Sequence, residues 1–388
     1  MSELLFLAHR VPFPPDRGDK IRGFNILRHL AAKHHVHLVA FADDVADRDP
    51  APEFRQMLAS CTVIPRTKAN AMAALQALAT ARPVSLTAFA DPVMQAAIAK
   101  VCATAAVDRI HCYSGQMAQY LPRDVPVIMD FADVDSMKFG QLAVNARYPI
   151  SWLLRREARL LDSFERAVAA RVSASLFVTD AEARLFREGG ATGKILAVEN
   201  GIDAGFFDPA ADFAPVDTPG PLIVFTGQMD YRPNVDAAAW FVGNVLPDLR
   251  AKYPTLRLAI VGRSPTAAVR ALSGEGVIVT GAVPDVRGWL AAASVCVAPL
   301  QIARGVQNKV LEAMAMARPV VASAAAAEGI DHAGTIRVAA DAEAQVAMIG
   351  ALLADPGGAA RLGVAAREQV VSRYAWPARL AALDALMA

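Results

Sequence analysis

Short, unbroken apolar runs alternate along this chain with longer stretches in which apolar residues return every three or four positions. In the first half the runs fall at residues 4–8, 36–41, 109–112, 125–130, 176–179 and 195–199. Each is short for a helix; the first two are continuous apolar runs, the mark of a strand buried inside a parallel sheet, and the other four are further candidate strands. Between the first two runs, residues 21–32 carry a helical period, which makes a strand–helix–strand unit and sets its strands parallel. Residues 136–171 form a long polar and helical stretch. A polar, Pro-containing segment at 210–221 reads as a linker, after which the alternation restarts. The second half predicts strands at 222–225, 256–261, 277–280, 295–298 and 319–321, with a helix at 235–249 capped by Asn234. The expected fold class is α/β, with two parallel-sheet domains.

Length agrees, since 388 residues hold two domains that each bury a core of their own. Hydrophobic residues make up 54% and the net charge is +1, which argues against disorder and against a nucleic-acid footprint. The four cysteines, at 61, 102, 112 and 296, form no Cys-x-x-Cys pair and read as small buried hydrophobes in a reducing compartment. The start of the chain has an acidic Glu3 and a short apolar run, too little for a signal peptide. No run approaches the ~18 apolar residues needed to span a bilayer. A Gly-x-Gly-x-x-Gly turn follows none of the strands, which disfavours a dinucleotide oxidoreductase.

The densest candidate chemistry lies at residues 304–323, a loop, a helix and a strand. Val306, Val310, Ala313, Met314 and Ala317 share one helical face, so the helix lies on the sheet and its N-terminus opens at the carboxyl edge. Unpaired N–H groups and the partial positive charge there suit a phosphate, with Arg304 and Lys309 beside them and Gly305 and Asn308 at the turn into the helix. Glu312, one turn on, is placed to hold the paired hydroxyls of a sugar. Phosphate next to sugar points to a nucleotide sugar. On periodicity alone a plain packing helix is the more ordinary reading.

Other candidates follow strand ends. The first loop, 9–20, holds three prolines and then Gly18 and Lys20, where backbone can approach a ligand at the next helix start. The strand ending at Asp130 runs into Asp133 and Asp135, which read either as cleft-facing acids or as a helix cap and turn. Residues 147–159 interleave four arginines with Tyr148, Trp152, Leu153 and Leu154. This is either a face for an anionic membrane or a packed helix with a solvated basic side. Asn200-Gly201 after an apolar strand is a tight-turn signal. Gly227, Gly262-Arg263 and Gly281 each follow a strand of the second half, where ligands bind at a switch point.

The segment 304–323 resembles the donor-binding element of the retaining glycosyltransferases of family 4, where two glutamates eight positions apart lead into Ala-Met-Ala and a Pro-Val-Val strand. Glu312 matches the second glutamate, and Arg304 stands where the first belongs. Asn200-Gly201-Ile202-Asp203 with Phe207 and Pro209 resembles the end of the family's first domain. Three strings resemble one bacterial subgroup, the sugar transferases associated with PEP-CTERM/exosortase exopolysaccharide loci. They are Phe-Pro-Pro-Asp-Arg-Gly-Asp-Lys at 13–20, Asp-Val-Asp-Ser-Met-Lys at 133–138 and Gly-Val-Gln-Asn-Lys-Val-Leu-Glu-Ala-Met-Ala at 305–315.

The resemblance implies the GT-B fold: two Rossmann-like domains facing a cleft, 1–210 on the acceptor side and 211–373 binding the nucleotide sugar, with a helix at 374–388 crossing back. It implies a cytoplasmic retaining transferase, with peripheral contact at the inner membrane, that needs no cofactor or metal and moves sugar to a glycan or lipid-linked acceptor. The donor would be held by Gly18, Lys20, Gly227, Arg232, Arg263, Val283, Arg304, Gly305, Asn308, Lys309 and Glu312. Asp133, then Asp135 and Asp130, are the catalytic candidates. The family's Arg and Lys in the loop after the second half's first strand are matched here by Gln228 and Asn234. The Asp133-Val-Asp135 triplet also resembles the metal site of the other glycosyltransferase fold, but the repeated strand–helix pattern speaks for two domains. A GT-B epimerase and a weakened, nucleotide-binding partner subunit stay open as alternatives.

Overall fold

The computed structural model describes residues 2–15, 18–303 and 306–387. The chain divides into two compact units, residues 1–200 with 379–388, and residues 201–378.

The first unit is built on a parallel sheet of seven strands in the order β3-β2-β1-β4-β5-β6-β7. They are β1 (Glu3–Ala8), β2 (His35–Ala42), β3 (Ser60–Pro65), β4 (Arg109–Tyr113), β5 (Val127–Ala132), β6 (Ala174–Phe177) and β7 (Ile195–Ala197). Leu5, Leu7, Val39, Ile110, Cys112 and Met129 are fully buried on it, because helices cover both faces of a parallel sheet. The helix Gly18–Ala31 connects β1 to β2 as the periodicity predicts, and the stretch after β5 folds as two helices, Asp135–Asn145 and Ile150–Ala169. The edge strand β3, half polar and half exposed, is absent from the sequence reading. The last helix, Trp376–Met387, starts in the second unit and ends in the first, where His29 Nε2 lies 2.8 Å from Asp384 and Leu380 and Leu383 are buried.

The second unit repeats the plan with six strands in the order β10-β9-β8-β11-β12-β13. These are β8 (Leu222–Thr226), β9 (Arg257–Val261), β10 (Val277–Gly281), β11 (Val295–Ala298), β12 (Val320–Ser323) and β13 (Arg337–Ala339). The helix expected at 235–249 is two helices, Arg232–Asn244 and Leu246–Lys252, with Pro247 in the first turn of the second. Asn234 does not cap the first of them. Tyr231 stands at the cap position without a side-chain cap bond, and Asn234 is buried within the first turn. Asn200-Gly201 is no left-handed turn, since neither residue has a positive φ. Gly201 is instead pressed against Trp376, so that a Cβ there would lie 2.7 Å from the Trp376 Cα.

In each sheet the strand order reverses once, between β1 and β4 and between β8 and β11. Loops leaving neighbouring strands at such a point diverge to opposite faces and open a crevice at the carboxyl edge.

Candidate functional site

The second unit's crevice is a cavity of about 520 Å³. Its walls are the loops after β8 (Gly227, Gln228, Tyr231), after β9 (Gly262, Arg263) and after β10 (Ala282, Val283, Val286), with residues 306–309 and Glu312 from the helix Asn308–Ala315. Two glycines let the first two loops touch. Gly227 and Gly262 have φ of +156° and +155°, and a Cβ on Gly262 would fall 1.6 Å from the Gly227 carbonyl oxygen. A Cβ on Gly227 would fall 2.7 Å from Asn234 Nδ2. No larger residue fits at 262 without moving backbone, and one at 227 must push the Asn234 side chain aside.

The helix start brings N–H groups with no intrahelical acceptor to the cavity. Lys309 Nζ donates to Asn234 Oδ1, and it sits 4.9 Å above the Phe225 ring. Asn234 Nδ2 in turn donates to the Gln228 carbonyl at 2.9 Å, and Arg263 Nη2 donates to Gln228 Oε1 at 3.1 Å. The two positions that carry neutral amides in the β8 loop region are thus each met by a cation from another element. Burial pushes the Lys309 ammonium down to about 8, against the pull of Glu312. Burial likewise raises the Glu312 carboxyl to about 7, with Lys309 opposing. A cation held in a poorly solvated crevice is a strong partner for an anion that displaces water from it.

Of the predicted donor-site residues, Gly227, Arg263, Val283, Asn308, Lys309 and Glu312 line this cavity. Arg232 does not. It stands exposed on the helix Arg232–Asn244, paired one turn on with Asp236 at 2.7 Å. Arg304 and Gly305 lie outside the described residues.

In the first unit several predicted residues turn out to hold the fold. Lys20 is buried and donates to Asp47 Oδ1 at 2.7 Å, so it has no free charge for a ligand. Asp130, at 0% exposure, is salt-bridged to Arg22 at 2.9 Å, and Arg22 also donates to the Val198 carbonyl and to Asn200. This corrects its reading as a catalytic acid, because substrate cannot reach it. Gly18 begins the helix Gly18–Ala31 with open space around its Cβ direction. Asp133 is exposed after β5, and Asp135 is half-buried, accepting from Gln116 Nε2 at 3.3 Å with its carboxyl raised by burial.

Two residues there escaped the sequence reading. His9 follows β1 beside the switch point, with Nε2 3.4 Å from Asp19 Oδ2 and its ring 5.6 Å from that of Tyr113. Its position directly after a buried strand was the available signal. Glu165 is buried behind the aspartates and accepts from Ser136 Oγ at 2.5 Å, and burial lifts its carboxyl to about 8. Nothing in its helical surroundings marks it.

Comparison with known proteins adds the following. Residues 220–355 match the family model described as glycosyl transferases group 1. Sucrose-phosphate synthase from Thermosynechococcus elongatus is similar in structure, with 19% identity, TM-score 0.60, and 100% of this chain and 98% of that one covered. HepE of Anabaena, solved in complex with UDP, has 13% identity and TM-score 0.61 over 100% of this chain and 99% of its own. WaaG, a glycosyltransferase involved in lipopolysaccharide biosynthesis, has 17% identity and TM-score 0.61 over 99% of each chain. At these identities the likeness is one of fold, the two parallel-sheet units of the GT-B type. No curated protein sequence matches the chain.

Proposed function

We propose, from the premise that this is a GT-B glycosyltransferase with a group 1 domain over residues 220–355, that it is a retaining enzyme of cell-surface glycan assembly. It takes sugar from a nucleoside-diphosphate donor and passes it to a glycan or lipid-linked acceptor. The observation that carries this reading is the Lys309–Asn234 contact at a helix N-terminus, in a cavity that Glu312 also lines. Support for the donor class comes from HepE, whose structures hold UDP and UDP-glucose. Support for the role comes from WaaG and lipopolysaccharide.

In this reading Glu312 holds the ribose hydroxyls. The diphosphate lies on the N–H groups at the start of the helix Asn308–Ala315, between Lys309 and Arg263. Breaking the sugar–phosphate bond leaves negative charge on the diphosphate, and fixed cations and N–H dipoles stabilise it as it forms, with no metal needed. Arg263 and Lys309 supply from neighbouring elements the charge that Gln228 and Asn234 lack, which favours a working transferase over a partner that only binds nucleotide. Acceptor contacts are assigned to the first unit's carboxyl edge, where His9, Asp133 and Asp135 follow β1 and β5.

The test is a panel of UDP-, GDP- and ADP-sugars, with and without acceptor, read as nucleoside diphosphate released and as the anomeric configuration of the product. Release that depends on acceptor, with the donor's configuration kept, is expected. A new sugar made from donor alone would identify an epimerase. Full turnover in a folded Glu312→Ala protein would defeat the site assignment.

A further inference from the structure

We propose that the second unit carries, at the amino edge of its sheet, a binding pocket for a small apolar monocarboxylate, an acyl or aryl body ending in one carboxylate. The pocket holds about 470 Å³, a size ordinary for ligand sites. Pro221, Ser294 and Pro319 in its wall immediately precede β8, β11 and β12. The cavity that Lys309 and Glu312 line opens at the other end of these strands, so the two sites are separate. This inference stands whatever that cavity binds.

One charge sets the chemistry of the pocket. Eleven of its thirteen lining residues are Ala, Pro, Leu or Val, and the other two are Ser294 and Arg318. Arg318 follows the helix Asn308–Ala315, a place where a cation ordinarily meets the last carbonyls. Here its side chain makes no hydrogen bond or ion pair among the described residues, and its Nε is buried without a partner. Six other arginines of this unit each pair with an acid. A buried donor left unbonded is costly, and a carboxylate that engages the guanidinium fork relieves that cost. Ser294 Oγ accepts from the Leu222 N–H at 3.2 Å, which leaves its own proton for a ligand oxygen. One cation and one hydroxyl balance a monoanion. A phosphate or diphosphate would need more donors, and the apolar lining would strip it of water without return.

The walls are formed in advance. The Arg318 N–H donates to the Ala313 carbonyl at 3.0 Å, and the Cys296 N–H donates to the Pro319 carbonyl at 2.9 Å, which fixes the chain on both sides of the guanidinium. The helix Pro356–Tyr374 closes so tightly on this turn that a Cβ on Gly363 would lie 2.1 Å from the Ala317 carbonyl oxygen. Between these walls the space stays open because alanine stands at 292, 293, 359 and 360, where larger side chains would fill it.

Calorimetric titration of the full chain with octanoate and with 4-phenylbutyrate is expected to show saturable binding, unchanged by added UDP. Octanamide, the same chain without the charge, should bind about ten- to a hundredfold more weakly, and inorganic phosphate should not bind. Arg318→Gln should lower carboxylate affinity by about that same factor and leave octanamide unaffected. Ala360→Phe, at an exposed position, fills the pocket and should abolish binding by obstruction alone. Melting curves verify that both variants fold, and if Arg318→Gln does not, Ala360→Phe decides the matter. Absence of binding by both carboxylates, displacement by UDP, equal affinity for octanamide, or unchanged affinity in the variants overturns the proposal. So does a stable dimer that Val364→Ser dissolves, which would give the pocket to a second copy.

Discussion

Replacing Lys309 by methionine separates what this residue does for the reaction from what it costs the fold. Burial holds its ammonium at about 8, against an ordinary 10.5. At roughly 1.4 kcal/mol per pH unit, keeping that charge in the cavity at neutral pH costs about 3 kcal/mol. The charged hydrogen bond to Asn234 returns some 1.5–3 kcal/mol of it, so methionine should leave stability level or raise it by about 1 kcal/mol. The sign with pH follows from the lowered value. The burden is complete below about 8 and fades as the pH climbs toward 10.5, so any advantage of the variant should shrink over that window. Turnover should move the other way. Removing one contact to the developing diphosphate charge should cost ~2.7–4 kcal/mol, a fall of about a hundred- to a thousandfold. Nucleoside diphosphate release measures turnover, and urea midpoints at neutral and alkaline pH measure stability. Wild-type turnover in Lys309→Met would refute the reasoning, and so would a loss of several kcal/mol of stability at neutral pH, which would make Lys309 a structural strut.

Three further outcomes are expected. Asp130→Asn should destabilise by about 3–5 kcal/mol in urea, because it strands the Arg22 charge in the core; a stable but inactive variant would return Asp130 to catalysis. Glu165→Gln keeps an acceptor for Ser136 and removes a carboxyl that burial raises to about 8. The wild type should lose stability as the pH rises from about 4.5 through 8, and the variant should gain up to about 5 kcal/mol above that window, seen as a divergence of melting temperatures. Gly262→Ala places a methyl 1.6 Å from the Gly227 carbonyl and should cost at least about 2 kcal/mol by thermal melt; an unshifted midpoint would show that the two loops are free to separate.

The alternation of strands and helices was legible because central parallel strands are apolar on both faces. Residues 222–225 and 295–298 announce β8 and β11 almost to the residue. β3 was not, since its Ser-Cys-Thr start sits half-exposed at a sheet edge, where burial does not select composition. The break between the helices Arg232–Asn244 and Leu246–Lys252 was hidden inside a continuous apolar period, with Pro247 as the missed mark. In the cavity, Lys309 and Glu312 could be found because a helix N-terminus carries its chemistry locally. The pairings Arg22 with Asp130, Lys20 with Asp47 and Asn234 with Lys309 could not. They join residues dozens of positions apart, and no periodicity reports which buried charge another segment will neutralise.

The contact between Gly227 and Gly262 also limits how this pocket can diversify. At Gly262 the cavity wall is backbone against backbone, so a side chain there must displace the Gly227 loop, whereas one at Gly227 meets the Asn234 side chain first. After β10 the lining residues are Ala282, Val283 and Val286, with no glycine among them. Efforts to reshape the cavity should therefore begin with the residues after β10 and leave the glycine at 262 as the fixed mould.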